Sequence, residues 1–278
     1  MKISVVITTC NRPDYLRESV ASVLSQTRPA DEILIVDDAS VRSYEQVLAE
    51  LDATRVRYAK LPQSGGANRA RNYGIEHTSG DVVTFLDDDD AWLPEYLMQV
   101  ERQYEQGADA VVTGYKRMGD EDISCVYPGK WVTREALQRG NPYCGMSGFS
   151  ATRVCLQGLM FDEALLNGQD WDMYVRIYCA GCCFVNISRP LFLYRFQNLD
   201  GIGAKLRSMS VSQIESRFKS AIKHKAFLGD YFYRKRICEQ ILINLKYKKN
   251  RLSWVRKSLE TVGLFHTARF FIDRLGSR

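Results

Sequence analysis

The chain has 278 residues, 45% of them apolar and 11% aromatic, with a net charge of +5. This is an ordinary globular composition, sufficient for one large core or a core with a smaller satellite domain. Its longest apolar stretches, such as Ile3 to Thr9 and Val82 to Leu86, fall far short of the roughly 20 residues a membrane helix needs, so no bilayer span is expected.

The N-terminus runs from Val5-Val6-Ile7 straight into Asn11-Arg12-Pro13, without the pattern of a signal peptide, and a cytoplasmic protein is the expectation. Eight scattered cysteines then read as thiols that pack like small hydrophobes. Cys179 and Cys182 form a C-x-x-C with no second pair at zinc spacing, and none of His77, His224 and His266 stand at i, i+4, so a zinc centre is disfavoured. The charge is unevenly spread. Residues 201–278 hold 18 Lys or Arg against five acids, a net +13, which leaves −8 on residues 1–200 and implies two functional regions.

In chain order, Ile3 to Thr9 reads as a buried strand, Tyr15 to Ser25 as a helix, Ile33 to Val36 as a strand and Tyr44 to Leu51 as a helix. Val56 to Leu61 and Val82 to Leu86 are further strands, separated by a helix over Ala67 to His77; Glu95 to Gln106 is a helix leading to a strand at Ala110 to Thr113. The alternation predicts a mostly parallel, Rossmann-like sheet with helices on both faces. From Gly114 to Tyr143 the periodicity weakens and the order of elements is open. A helix from Asp170 to Cys179 and a strand at Cys183 to Ile187 follow, and from Leu206 the pattern is helical, with Ile237, Ile241 and Leu245 on one stripe and Val255, Leu259 and Val262 on another.

Ligands of such sheets bind beyond the carboxyl ends of the strands. The predicted tips are polar: Thr8-Thr9-Cys10-Asn11-Arg12, Asp37-Asp38-Ala39-Ser40 and Asp87-Asp88-Asp89-Asp90. Four consecutive aspartates repel one another unless something positive binds them, and Mg²⁺ or Mn²⁺, held by one or two carboxylates together with substrate phosphates, is the natural partner. A solvated acidic turn leading into the helix near Pro94 is the plainer alternative. An EF-hand is excluded, since Leu93 stands where its loop needs a glycine. Gly65-Gly66 opens a helix whose free amides favour an anion, with Arg69 or Arg71 adding charge; as a glycine motif it is neither G-x-G-x-x-G nor a P-loop. The first tip also lacks the glycines of a dinucleotide fold, which disfavours a nicotinamide or flavin enzyme. Gly145-Met146-Ser147-Gly148 is not a nucleophile elbow, because Phe149 replaces the last glycine.

Taken together, Val5-Val6-Ile7-Thr8-Thr9-Cys10-Asn11-Arg12, Ile35-Val36-Asp37-Asp38-Ala39-Ser40, Ala70-Arg71-Asn72-Tyr73-Gly74 and Phe85-Leu86-Asp87-Asp88-Asp89-Asp90-Ala91-Trp92 resemble the family 2 inverting glycosyltransferases with the GT-A fold. The match covers about residues 1 to 200. It implies a catalytic domain over 1–203 and a helical, basic region over 204–278 outside it. The resemblance further implies that Thr9 and Asp37 contact the nucleobase and ribose and that Arg71 is another nucleotide contact. By the same resemblance Asp87 and Asp89 match the ends of the family's D-x-D motif, which implies that Asp87 faces the ribose and that Asp89 binds Mn²⁺ or Mg²⁺ on the diphosphate. Asn11, Arg12 and Asp88, within the same motifs, complete the expected nucleotide-sugar set.

An inverting transfer needs a base for the acceptor hydroxyl. Gly168-Gln169-Asp170-Trp171-Asp172 is similar to the family's Glu-Asp-Trp segment, which makes Asp170 the candidate base, with helix capping as its alternative role. Gln169 departs from the usual glutamate and cannot ionise. A second departure is Tyr194-Arg195-Phe196-Gln197-Asn198, where relatives often carry a histidine after the Tyr-Arg pair. Ser147 and Trp171 are expected to face the acceptor, Trp171 by stacking on a sugar ring, with a core tryptophan as the alternative.

The expected activity is transfer of a sugar from a nucleotide diphosphate donor, a UDP-sugar by resemblance, to a glycan or lipid-linked saccharide in surface polysaccharide synthesis. A non-catalytic sugar-nucleotide-binding or scaffolding subunit competes with it, and donor turnover separates the two. A nucleotidyltransferase would have a glycine-rich, basic first-strand loop. For the basic C-terminal region, a solvated helix face competes with attraction to an anionic membrane surface at the inner face. Nucleic acid is not expected, as the region has no recognised binding motif.

Overall fold

The computed structural model describes residues 1–51, 54–196 and 207–275. The chain divides into two compact units, one of Met1–Leu137, Asn141–Ala164 and Gln169–Phe196, the other of Gln138–Gly140, Leu165–Gly168 and Gln197–Arg278. The expected boundary at residues 203 and 204 lies outside the described residues, as do Gln197 and Asn198.

The larger unit is built on β1 (Ile3–Thr9), β2 (Glu32–Asp37), β3 (Val56–Lys60) and β4 (Val82–Asp87), alternating with α1 (Pro13–Leu24), α2 (Glu45–Ala49) and α3 (Ala67–His77). These four strands are mutually parallel in the order β3-β2-β1-β4, with Thr9 opposite Asp37 and Thr8 opposite Asp87 in register. Every residue of β1 is buried, as expected of a parallel strand covered on both faces. Helix α3 rests directly on β1 because Gly74 has no side chain; a Cβ there would lie 2.3 Å from Val6 Cγ1.

Beyond β4 the chain continues through β5 (Ala91–Trp92), α4 (Tyr96–Glu105), β6 (Ala110–Arg117), β7 (Asp120–Cys125), α5 (Arg134–Arg139), β8 (Phe149–Thr152), α6 (Arg153–Leu159), α7 (Gln169–Cys179) and β9 (Phe184–Tyr194). The sheet extends as β4-β8-β6-β9-β5 with β7 paired to β6, and here only β6 and β9 are parallel. The parallel order expected from the sequence thus describes the N-terminal half, and the strands added after it are largely antiparallel. β9 also runs to Tyr194, well past the expected Ile187.

The smaller unit contains a 3₁₀ segment (Val211–Arg217), α8 (Lys219–Lys223), α9 (Lys225–Leu242) and α10 (Arg251–Leu275). Glycines interrupt the last two helices, Gly229 at φ 68° and Gly263 at φ 84°, a conformation that costs glycine no steric strain. Ile237 and Ile241 are buried as the first stripe predicts, but Leu245 falls beyond the helix end. In α10 the buried positions are Trp254, Ser258, Val262 and Thr267, so Val262 of the second stripe is buried as expected, while Val255 and Leu259 stand one residue out of phase with the buried Trp254 and Ser258. No helix among the described residues is long and apolar enough to cross a membrane.

Candidate active site

The β1 and β4 tips are joined by side-chain bonds. Thr9 Oγ1 donates to Asp88 Oδ2 at 2.6 Å. The hydroxyl has one proton, so Tyr44 Oη, 2.7 Å away, donates to Thr9 in turn while accepting from the Arg12 amide at 2.9 Å. Asn11 accepts from the Val41 and Arg42 amides through Oδ1 and donates its own amide to Ser40, tying the β1 tip to the β2 tip. Three non-glycine residues among those described have positive φ, and two of them, Asn11 (58°) and Ala39 (55°), stand at these tips; backbone strain gathers where function demands a particular shape.

Two arginines neutralise the aspartate run. Arg12 holds Asp89 Oδ2 through Nη1 at 2.9 Å, and its Nη2 lies 2.7 Å from Asp88 Oδ1, an ion-pair distance without hydrogen-bond alignment. Arg71, on α3, donates from Nη2 to Asp87 Oδ1 at 2.7 Å and from Nη1 to Asn68 and Gln169, each at 3.2 Å. Asp90 is buried, accepting from the Ser147 hydroxyl and the Arg195 amide. Burial pushes the Asp88 carboxyl up to about 7, outweighing the nearby Arg12 charge, and raises Asp90 well above the carboxylate range. Arg12 and Arg71 offset part of the repulsion expected of four adjacent aspartates, while the charges of Asp87 and Asp89 still raise Asp88 and Asp90, so the case for a cation does not rest on repulsion alone. The chemistry of the donor set does fit one. Asp87 and Asp89 keep 32% and 19% of their side-chain surface exposed, and hard oxygens from one or two carboxylates suffice where substrate phosphates supply the rest.

Several expected ligand contacts are turned inward. Asp37 is fully buried, with Oδ1 accepting from the Ser40 amide and hydroxyl and Oδ2 from Tyr58 at 2.6 Å. Thr9 is likewise buried and committed to Asp88. Both shape the tips rather than presenting a free side chain. The Gly65 and Gly66 amides, expected to attract an anion from solution, already have one, since they donate to Asp38 at 2.7 and 2.9 Å. Ser147 is buried, donating to Asp90 and accepting from the Asp87 amide, so it supports the acidic loop instead of facing an acceptor. Trp171 is 1% exposed and donates Nε1–H to the Leu137 carbonyl; it is a core residue with no face for a sugar.

Asp170 lies within the first turn of α7, half-buried, where Oδ2 accepts from Asn141 Nδ2 at 2.6 Å. Asn141 also donates to the Cys144 carbonyl, which fixes its orientation. Asp172, two residues on, is buried against Arg176. Gln169, in the place of the family's glutamate, is part of the Arg71 cluster. Sequence reasoning passed over Asn141 beside Asp170, Tyr44 beside Thr9, and Tyr194 at the end of β9. Tyr194 is 37% exposed, and partial burial first, then the charges of Asp90, Asp89, Asp87 and Asp170, push its phenol up to about 12. The Tyr-Arg pair drew attention in the sequence only for the position after it.

A sheet beginning 3-2-1-4 with polar strand tips is that of a doubly wound α/β protein, whose ligands bind beyond the carboxyl ends of the strands. Residues 4–154 match the family model described as glycosyl transferase family 2, and the chain belongs to that family. It is 34% identical over 122 residues to the putative teichuronic acid biosynthesis glycosyltransferase TuaG of Bacillus subtilis, covering 43% of this chain and 48% of that protein. The chain therefore spans about half the length of that relative. The uncharacterized glycosyltransferase YwdF of the same organism is 31% identical over 235 residues, covering 74% of this chain and 84% of its own. Among solved structures, S. aureus TarS 1–349 in complex with UDP-GlcNAc superposes with a TM-score of 0.65 at 19% identity, over 94% of this chain and 71% of that one. The mannosyltransferase PcManGT from Pyrobaculum calidifontis, in complex with GDP-Man and Mn²⁺, gives 0.63 at 16% identity, over 99% and 79%. The fold is GT-A.

Proposed function

We propose that the chain is an inverting, metal-dependent glycosyltransferase that takes a sugar from a nucleotide diphosphate donor, a UDP-sugar, and adds it to a hydroxyl of a glycan or lipid-linked saccharide in surface polysaccharide synthesis, on the cytoplasmic face of an anionic membrane. One observation carries this reading. Arg12 ties Asp89 to the β1 tip, and Arg71 ties Asp87 to Gln169, the residue before Asp170 at the start of α7, so a line of side-chain bonds runs from the aspartate loop to the neighbour of the proposed base. The neighbours bound to UDP-GlcNAc and to GDP-Man support a nucleotide sugar as donor.

In this mechanism Asp170 accepts the proton of the acceptor hydroxyl as its oxygen attacks the anomeric carbon. The bond from that carbon to the diphosphate breaks on the opposite face, and its electron pair leaves with the nucleoside diphosphate. Asn141 holds the carboxylate in place. Asp89, with Asp87 beside it, would hold Mn²⁺ or Mg²⁺, which supplies positive charge against the departing diphosphate. Arg12 and Arg71 fix those two carboxylates.

Screening nucleotide sugars with Mn²⁺ for thermal stabilisation tests the reading, because a ligand at 100 times its Kd adds about 2.7 kcal/mol. Donor turnover and the anomeric configuration of the product then follow. Stabilisation without turnover on any saccharide acceptor would favour a sugar-nucleotide-binding subunit instead, and no stabilisation by any donor would overturn both.

A further inference from the structure

The last helix carries an apolar surface that its own unit does not use. After the interruption at Gly263, residues 264–275 continue as helix, and Thr267 is buried on the inner side. On the outer side Leu264, Phe265, Ala268, Phe271, Ile272 and Leu275 are all exposed. Their spacing is i, i+1, i+4, i+7, i+8 and i+11, which at 100° per residue confines them to an arc of about 120°. This is an organised stripe rather than scattered surface apolars, which need no explanation. Leu264, Phe265, Ile272 and Leu275 keep between 61% and 75% of their surface in water. Arg269 flanks the arc on one side, paired with Asp273, and Arg274 lies beyond the buried Thr267, over the Phe270 ring.

We propose that this stripe is the membrane-contacting face of the protein, lying in the interface of an anionic bilayer with its axis parallel to the surface. The inference deepens the membrane part of the function proposed above and is independent of its chemistry, since its readout involves no donor. The partner follows from charge. Residues 201–278 carry +13, so a second copy docked on this face would bring two strongly positive regions together, whereas anionic headgroups attract them. An amphipathic helix with apolar residues on one face, set in a strongly basic region, is suited to the headgroup–acyl boundary. The break at Gly263 separates the outward stripe from the preceding helical segment, whose Trp254, Ser258 and Val262 face the core of the unit.

The test is co-sedimentation with phosphatidylcholine vesicles, with and without phosphatidylglycerol, for the wild type and for the double variant Phe265→Gln/Ile272→Gln. Both sites are exposed and glutamine suits a helix, so the fold should survive; a melting curve checks this, and Val154→Gln, at an exposed apolar residue of the larger unit, is the control. Expected are wild-type binding that requires phosphatidylglycerol and weakens with salt, a fall of about tenfold or more in the vesicle-bound fraction for the double variant, and no change for Val154→Gln. Wild-type protein that ignores anionic vesicles, or a double variant that binds like wild type, overturns the proposal. So does a wild-type dimer that the double variant converts to monomer.

Discussion

Arg71 and Asp87 form an ion pair 2.7 Å long whose two ends differ: the guanidinium is 4% exposed and the carboxylate 32%. The same guanidinium donates to Gln169 on α7, so one buried side chain spans the aspartate loop and the start of the helix that carries Asp170. Arg71→Met should cost about 1–3 kcal/mol in stability, below the 3–5 of a fully buried pair because Asp87 can turn to water. Thermal melting measures that loss, and transfer should fall much further than stability. Arg71→Lys keeps the charge but not the fork, and is expected to be nearly as inactive.

Asp89→Ala is expected to abolish transfer and to remove the Mn²⁺ dependence of nucleoside diphosphate binding, because a weakly held ion loses its carboxylate. Titration calorimetry with UDP, with and without Mn²⁺, checks this; unchanged metal-linked affinity would sink the assignment.

Asp170→Asn retains an oxygen that can accept from Asn141 but loses the ability to take a proton. Folding and donor binding should match wild type while transfer falls by roughly 10² to 10⁴. Asp172→Asn should show the opposite signature, a lower melting temperature with bound donor still turned over, since it weakens the buried pair with Arg176. If Asp172→Asn is the dead variant and Asp170→Asn the active one, the base is misassigned.

Trp171 adjoins the proposed base yet packs in the core. Trp171→Ala should cost about 3–5 kcal/mol, measured by denaturant unfolding, whereas an acceptor-stacking residue would raise KM at unchanged stability.

Acid should loosen the amino end of the sheet. Burial alone would raise the Glu32 carboxyl, but bonds from the Ser79 amide and hydroxyl and the Ser4 hydroxyl, with the charge of Arg57, hold it below the usual range. A lowered folded value contributes stability that is complete above the unfolded pKa, about 4.3, and is lost as pH falls through the folded one. Glu32→Gln should therefore be less stable than wild type at neutral pH, with the gap narrowing below about pH 4 in melting curves. A gap that stays constant would place the stabilisation elsewhere.

The parallel half of the fold was legible because each strand is an apolar run ending in a polar tip, and the Ala67–His77 helix was read to its ends. The antiparallel half was not. β7 exposes all six of its residues, and β5 and β8 have two and four, so none carries the alternation that marks a strand. The site divides in the same way. Asp87 to Asp90 stood out as a run, but the bonding of Tyr44 to Thr9 and of Tyr58 to Asp37 joins residues 35 and 21 positions apart, which no local pattern encodes. Direction was the other loss: Thr9 and Asp37 were expected to face the donor and Ser147 the acceptor, and only tertiary packing turns them inward.

The bare backbone of Gly74 sets how close α3 lies to β1, and Arg71 projects from the same helix three residues earlier. Any side chain at 74 would act as a wedge, lifting the helix and drawing the guanidinium away from Asp87 and Gln169 together. A residue with no functional group thus governs the alignment of two carboxylate-bearing elements. In a survey of inactivating substitutions, position 74 would rank beside the aspartates, although its role is one of spacing alone.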